Sequence, residues 1–147
     1  MNRRNDAIIS IKPKYASAIL DGAKTVELRR RIPSIEVGTR LWIYSTRPIA
    51  AIVGSAILEQ VVRKSPNELW IHCGDRTGVD RWVYDEYFAG APTALGLYLS
   101  GVRRANPIGL EHLRVLLKGF HPPQVLSRLT KEDTLSLVSE ICELHPA

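Results

Sequence analysis

Residues 8–31 read IISIKPKYASAILDGAKTVELRRR, and this stretch decides the fold. Ile8-Ile9-Ser10-Ile11-Lys12 is short, apolar and β-branched, which favours a strand. Pro13 fixes the backbone angle that a first helical turn needs. Tyr15, Ala18 and Ile19 then fall on one helical face with Leu20 beside them, and Gly22 sits where a left-handed C-cap is expected. From Lys24 to Arg31 the pattern changes to alternation. Lys24, Val26 and Leu28 point one way, towards a core; Thr25, Glu27, Arg29 and Arg31 point the other. The unit is strand, helix, strand.

Outward from it, Thr39 to Thr46 predicts a third strand, broken by Pro48. Ala51 to Val62 predicts a fourth, with Gly54 marking a bend or bulge. Ser65-Pro66-Asn67-Glu68 carries a capping-box helix start. Asp80 to Phe88 predicts another short helix, stopped by Gly90, and Thr93 to Val102 a fifth strand curved at its two glycines. Leu110 to Leu117 predicts a helix. Thr130 to Leu144 predicts a last one, capped by Thr130 with Asp133 three residues on and striped by Leu135, Val138, Ile141 and Cys142. Short curved strands interrupted by helices specify an α+β chain built on a small barrel of about five to six strands with peripheral helices.

Composition agrees with one domain. The chain has 147 residues, 45% of them hydrophobic, enough for a core and too few residues for two ordinary domains. No uncharged apolar run is long enough to cross a membrane, and the basic N-terminus lacks the apolar segment of a secretory signal, so a cytoplasmic protein with no membrane association is expected. Cys73 and Cys142 are far apart and in no Cys-x-x-Cys pair, which argues against a disulfide scaffold or a cysteine zinc site. The net charge is +5, and all of it lies in residues 1–31, which hold eight Lys/Arg against three acids. A local basic cluster on a balanced chain suits an anionic partner approaching one side, and nucleic acid is the commonest such partner.

Gly22-Ala23-Lys24-Thr25 is not a phosphate loop: Ala23 separates Gly from Lys, and the order runs helix to strand rather than strand to helix. His72, His112, His121 and His145 have no Gly-x-Ser-x-Gly context or paired metal spacing. Neither a metal nor a cofactor is expected. The sharper constellation is Lys12 to Arg31. A lysine at the end of an apolar strand face sits at a cleft rim, and partial desolvation lets it act as a base or positioned donor. Glu27 and Arg29 are expected to pair, and Arg29, Arg30 and Arg31 to reach a phosphate backbone from either side. Tyr15, Trp42 and Tyr44 are candidate stacking platforms, with packing the plainer role for Trp42.

These residues resemble the opening of the ASCH domain family. The signature Gly-x-Lys-x-x-Glu-x-Arg stands here as Gly22, Lys24, Glu27 and Arg29. The likeness continues through residues 38–44, Val53-Gly54-Ser55, Ser65 to Trp70, Tyr87 to Gly90, and Phe120-His121-Pro122-Pro123-Gln124, covering about residues 7–128 and leaving 130–147 as a helical extension packed on the domain. The resemblance implies a PUA-like barrel with a cleft between barrel and first helix. It implies a cleft lined by Lys12, Tyr15, Lys24, Thr25, Glu27 and Arg29, with Ser45 and Thr46 from the third strand. It also implies an RNA- or nucleotide-binding regulator of transcription or translation; the basic run and the candidate stacking platforms make single-stranded RNA or a nucleotide the expected partner. Some relatives are enzymes. In the N4-acetylcytidine amidohydrolases a Thr nucleophile follows the cleft lysine by three positions; here that residue is Glu27, which speaks against that activity. Ribonuclease chemistry by Lys24 and Glu27 is the alternative to binding alone. A third expectation is a protein partner at the acidic terminal helix.

Overall fold

The computed structural model describes residues 6–144, with side chains through residue 141; Arg3, Arg4 and the Cys142 thiol lie outside this description. Six strands form one sheet: β1 (Asp6–Ile11), β2 (Val26–Arg29), β3 (Arg40–Ser45), β4 (Ala51–Lys64), β5 (Ala94–Gly109) and β6 (Leu126–Arg128). Five helices accompany them: α1 (Pro13–Asp21), α2 (Pro66–Cys73), α3 (Arg81–Tyr87), α4 (Leu110–Leu116) and α5 (Lys131–Leu144). A 3-10 turn over Gly74–Arg76 follows α2.

The sheet order is β2-β5-β4-β3-β1-β6. β1 and β3 are parallel, and every other neighbouring pair is antiparallel. The two long strands set the shape. β4 and β5 pair through three register shifts, at Ile52/Gly54, Ser55/Ile57 and Leu58/Gln60. Each shift adds local twist, and together they curl the sheet into a half-barrel. The α+β barrel-like class expected from the strands is what the chain forms.

α1 ends as its sequence indicates: Gly22 adopts φ 85°, and its N–H donates to Ile19 O. Ser65 caps α2 by accepting from Glu68 N, and Thr130 Oγ1 accepts from Asp133 N at the start of α5. Three expectations need correction. The second strand is only Val26–Arg29, so Lys24 and Thr25 precede it. β5 runs on through Arg103–Gly109, past Gly101, whose positive φ of 55° bends the strand without ending it. β6 lies between the two helices expected over residues 110–117 and 130–144, where no strand is predicted, and pairs with β1.

The core is divided by the sheet. Ile9, Ile11, Ile19, Leu41, Ile43, Leu58 and Leu97 fill the interior beneath α1. Ile8, Trp42, Tyr44, Ile108, Leu113 and Leu137 pack on the other face under α4 and α5. Val26, Leu28, Leu69, Tyr84 and Phe88 join β2 to α2 and α3. Trp42 and Tyr44 are therefore packing residues, not stacking platforms. Trp42 Nε1 donates to Asp6 Oδ2 at 2.7 Å, and the Arg40 guanidinium lies over its ring. The stripe of α5 is also shifted: Leu137 is fully buried while Leu135 is 70% exposed.

Candidate functional site

The shortness of β2 builds the site. Because Lys24 stands before the strand, its side chain does not follow the alternation of Val26 and Leu28. It reaches Glu27 instead, Nζ to Oε1 at 3.5 Å. Both are buried, Lys24 at 2% exposure. Arg29, on the same strand face as Glu27, closes the arrangement from the other side, with Nη2 2.5 Å from Glu27 Oε2. The expected Glu27–Arg29 pair is present, in a buried place rather than on a solvated face. Arg29 Nη2 also donates to Ser10 O at 2.8 Å, tying β2 to the end of β1.

Lys24 is held from above by the segment after the 3-10 turn. Its ammonium donates to Thr77 O, and the Tyr15 ring lies 5.1 Å from Nζ. Gly78 makes this closure feasible: its φ is +70°, and a Cβ there would stand 3.1 Å from Lys24 Cβ. Burial lowers the Lys24 pKa below 10.5, opposed by the Glu27 carboxylate. A lysine in that state holds a larger neutral fraction at a given pH than a free one.

Lys24, Glu27 and Arg29 lie along a cavity of about 530 Å³. β1 and its exit contribute Ser10 and Lys12, α1 contributes Tyr15, and the end of β3 leads into Thr46. Val79, Val83, Tyr84, Glu86 and Tyr87 form the wall from α3 and its approach, and Gln124 comes from the segment before β6. α3 is fixed there by aromatic packing. The Tyr84 ring meets Trp70 and Phe88 edge-on at 4.8 Å, and its hydroxyl donates to Pro66 O.

Of the residues expected at the cleft, Lys12, Tyr15, Lys24, Glu27, Arg29 and Thr46 line this cavity. Thr25 does not; its hydroxyl accepts from Arg76 Nε at 2.9 Å, away from it. Ser45 is buried one residue before the cavity begins. Arg30 and Arg31 are exposed outside it, and Arg30 donates to Tyr87 O and Ala89 O, bracing the end of α3. The α3 wall and Gln124 were missed. Their signals were the clustered aromatics of 82–88 and the Pro122-Pro123-Gln124 turn, which locate an element but not the surface it faces. Among the described residues, no three of His, Cys, Asp or Glu are grouped to hold a metal ion.

The ASCH domain model matches residues 9–108. The chain belongs to the ASCH domain family. An ASCH domain-containing ribonuclease of Zymomonas mobilis is 41% identical over 136 residues, 92% of each chain. A crystal structure of ASCH from Zymomonas mobilis superposes with a TM-score of 0.89 at 41% identity, covering 93% of this chain and 96% of that one. A human protein solved with DNA containing 5-methylcytosine shares the fold, at 10% identity and a TM-score of 0.59, over 92% of this chain and 96% of that one. The ASCH signature residues Lys24, Glu27 and Arg29 are those that meet at the cavity.

Proposed function

We propose that this ASCH protein binds single-stranded RNA at the cavity and cleaves it. The observation that carries the reading is the buried Lys24–Glu27–Arg29 constellation opening onto a cavity of about 530 Å³, a size suited to one unstacked nucleotide. The ribonuclease named among its relatives supports cleavage over binding alone.

The chemistry follows from Lys24. A neutral amine keeps two N–H groups, one for Thr77 O and one for Glu27, and presents its lone pair. That lone pair takes the proton of a ribose 2′-hydroxyl. The 2′-oxygen attacks phosphorus, the P–O5′ bond breaks, and the proton on Lys24 passes to the departing 5′-oxygen. The products are a 2′,3′-cyclic phosphate and a 5′-hydroxyl. Arg29 is the second cation at this place and stabilises the charge that gathers on the phosphorane-like oxygens. Glu27 orients both cations and limits how far burial lowers the Lys24 pKa. Exposed Lys12 at the rim, with Arg30 and Arg31 beyond it, guides the strand by charge.

The test uses a 5′-labelled RNA, its all-deoxy counterpart, and Lys24→Met, which keeps most of the side-chain volume. Wild type is expected to cut RNA and not DNA, at a rate that rises with pH through the lowered Lys24 pKa and is unaffected by EDTA. Lys24→Met is expected to cut at least 100-fold more slowly, the usual scale of a proton-transfer residue. RNA that shifts on a gel but stays intact with wild type would instead establish the second reading, a binding regulator. One observation favours that reading: Lys24 is buried and already held by Thr77 O and Glu27.

A further inference from the structure

We infer that Gln124 reads the edge of the nucleobase held in the cavity, so that this residue sets the base preference at the cleaved position. The inference rests on the RNA cleavage proposed above and names the substrate more closely. Three observations carry it.

The first is what the cavity leaves unspent. Ser10 Oγ donates to Pro123 O, Arg29 Nη2 is engaged by Glu27 and Ser10 O while the buried Arg29 Nε has no partner among the described residues, and Lys24 is engaged by Thr77 O and Glu27. Gln124 is the one carboxamide lining the cavity, and it has no hydrogen-bond partner among the described residues. An amide presents a donor and an acceptor side by side, the pattern that a nucleobase edge matches.

The second is the rigidity of its support. Both neighbours of Gln124 are pinned to the same residue of β1: Ser10 Oγ donates to Pro123 O at 2.6 Å, and Ser10 N to Val125 O at 3.1 Å. Pro122 and Pro123 restrict the approach. The backbone of Gln124 is thus ordered before binding, so the entropic cost there is confined to its own side-chain rotamers.

The third is the division of the walls. Lys24, Glu27 and Arg29 are charged and suit ribose and phosphate, whereas the α3 wall offers Val79, Val83 and Tyr87 to a base face, with Glu86 as its one charged group. The base edge then needs a neutral polar partner, which the amide supplies.

The test measures cleavage of four RNA oligonucleotides, each 2′-O-methylated except at one nucleotide, which is A, C, G or U. Wild type is expected to favour one or two bases roughly tenfold. Gln124→Ala is expected to bring the four rates within about threefold of one another. Gln124→Glu presents acceptors only, so its preference should move to guanosine, whose N1–H and N2–H₂ are two adjacent donors. Gln124 is exposed, so both variants should melt with wild type, and that control separates misfolding from lost reading. If both variants keep the wild-type ratios, or if wild type cuts all four alike, Gln124 is not the reader although the cleavage stands. If wild type cuts none of the four and no unmodified RNA, the cleavage reading falls and this one with it.

Discussion

At the scale of single residues, the site is a problem in burial. Lys24 and Glu27 are both inside the protein, and neither would be charged there alone. Their partnership with Arg29 is what makes the position tenable, and it also fixes their response to pH. The folded-state pKa of Lys24 lies below its unfolded value of 10.5, because burial outweighs the attraction of Glu27. The folded chain therefore releases its proton first as pH rises. Between the lowered value and 10.5 the unfolded state binds more protons, so stability increases with pH there; it is lost as pH falls through the folded value. Lys24→Met removes this dependence. Urea unfolding of both proteins from pH 7 to 10 should show wild type gaining on Lys24→Met as pH rises. Glu27→Gln acts in the opposite sense, leaving two buried cations facing each other. It should cost about 3 kcal/mol or more and move the ascending limb of the pH–rate profile to lower pH, since the carboxylate is the main influence raising the Lys24 pKa. A limb that stays in place would mean that Lys24 is not the group titrating.

At the scale of elements, the distance between expectation and structure is instructive. The signature residues were legible because Gly22, Lys24, Glu27 and Arg29 lie within one turn and one strand. Their meeting was not. Alternation placed Lys24 and Glu27 on opposite faces, and only the true start of β2 at Val26 lets them join. That start depends on distant groups: Thr25 N donates to Arg76 O and Leu99 N to Thr25 O, neither of which local periodicity contains. β5 was read too short for a similar reason, since Arg103 to Pro107 is polar and its pairing with β4 is irregular. Gly54 shows how tightly these elements close. A Cβ there would stand 2.4 Å from Arg103 O on β5 and 2.7 Å from Leu20 Cδ2 on α1. One contact is backbone and cannot turn aside. Gly54→Ala should therefore destabilise by about 1–3 kcal/mol, read as a lower urea midpoint. An unchanged midpoint would show that β4 and β5 can part at this bulge without cost.

For the whole molecule, the question is whether residues 130–147 belong to the fold or only accompany it. The sequence placed Leu135 on the inward stripe rather than Leu137, because Leu135, Leu137 and Val138 are all apolar and lie within one helical turn. The fold selects Leu137, which is fully buried among Ile8, Trp42, Tyr44, Leu113 and Phe120. Ile8 and Ser10 lie on the same face of β1, and Ser10 holds both the Gln124 segment and Arg29. The helix thus packs on the same face of β1 from which the Ser10 side chain holds the Gln124 segment. Leu137→Ala should cost about 2–5 kcal/mol, which corresponds to a fall in Tm on the order of 10 °C. RNA cleavage should fall only as the protein unfolds, since Leu137 lies under α5 and not in the cavity. Activity lost well below the melting transition would mean that α5 holds β1 in the working geometry, and that the helix is part of the site's support. Activity and Tm both unchanged would show that α5 is an appendage whose packing the domain does not need.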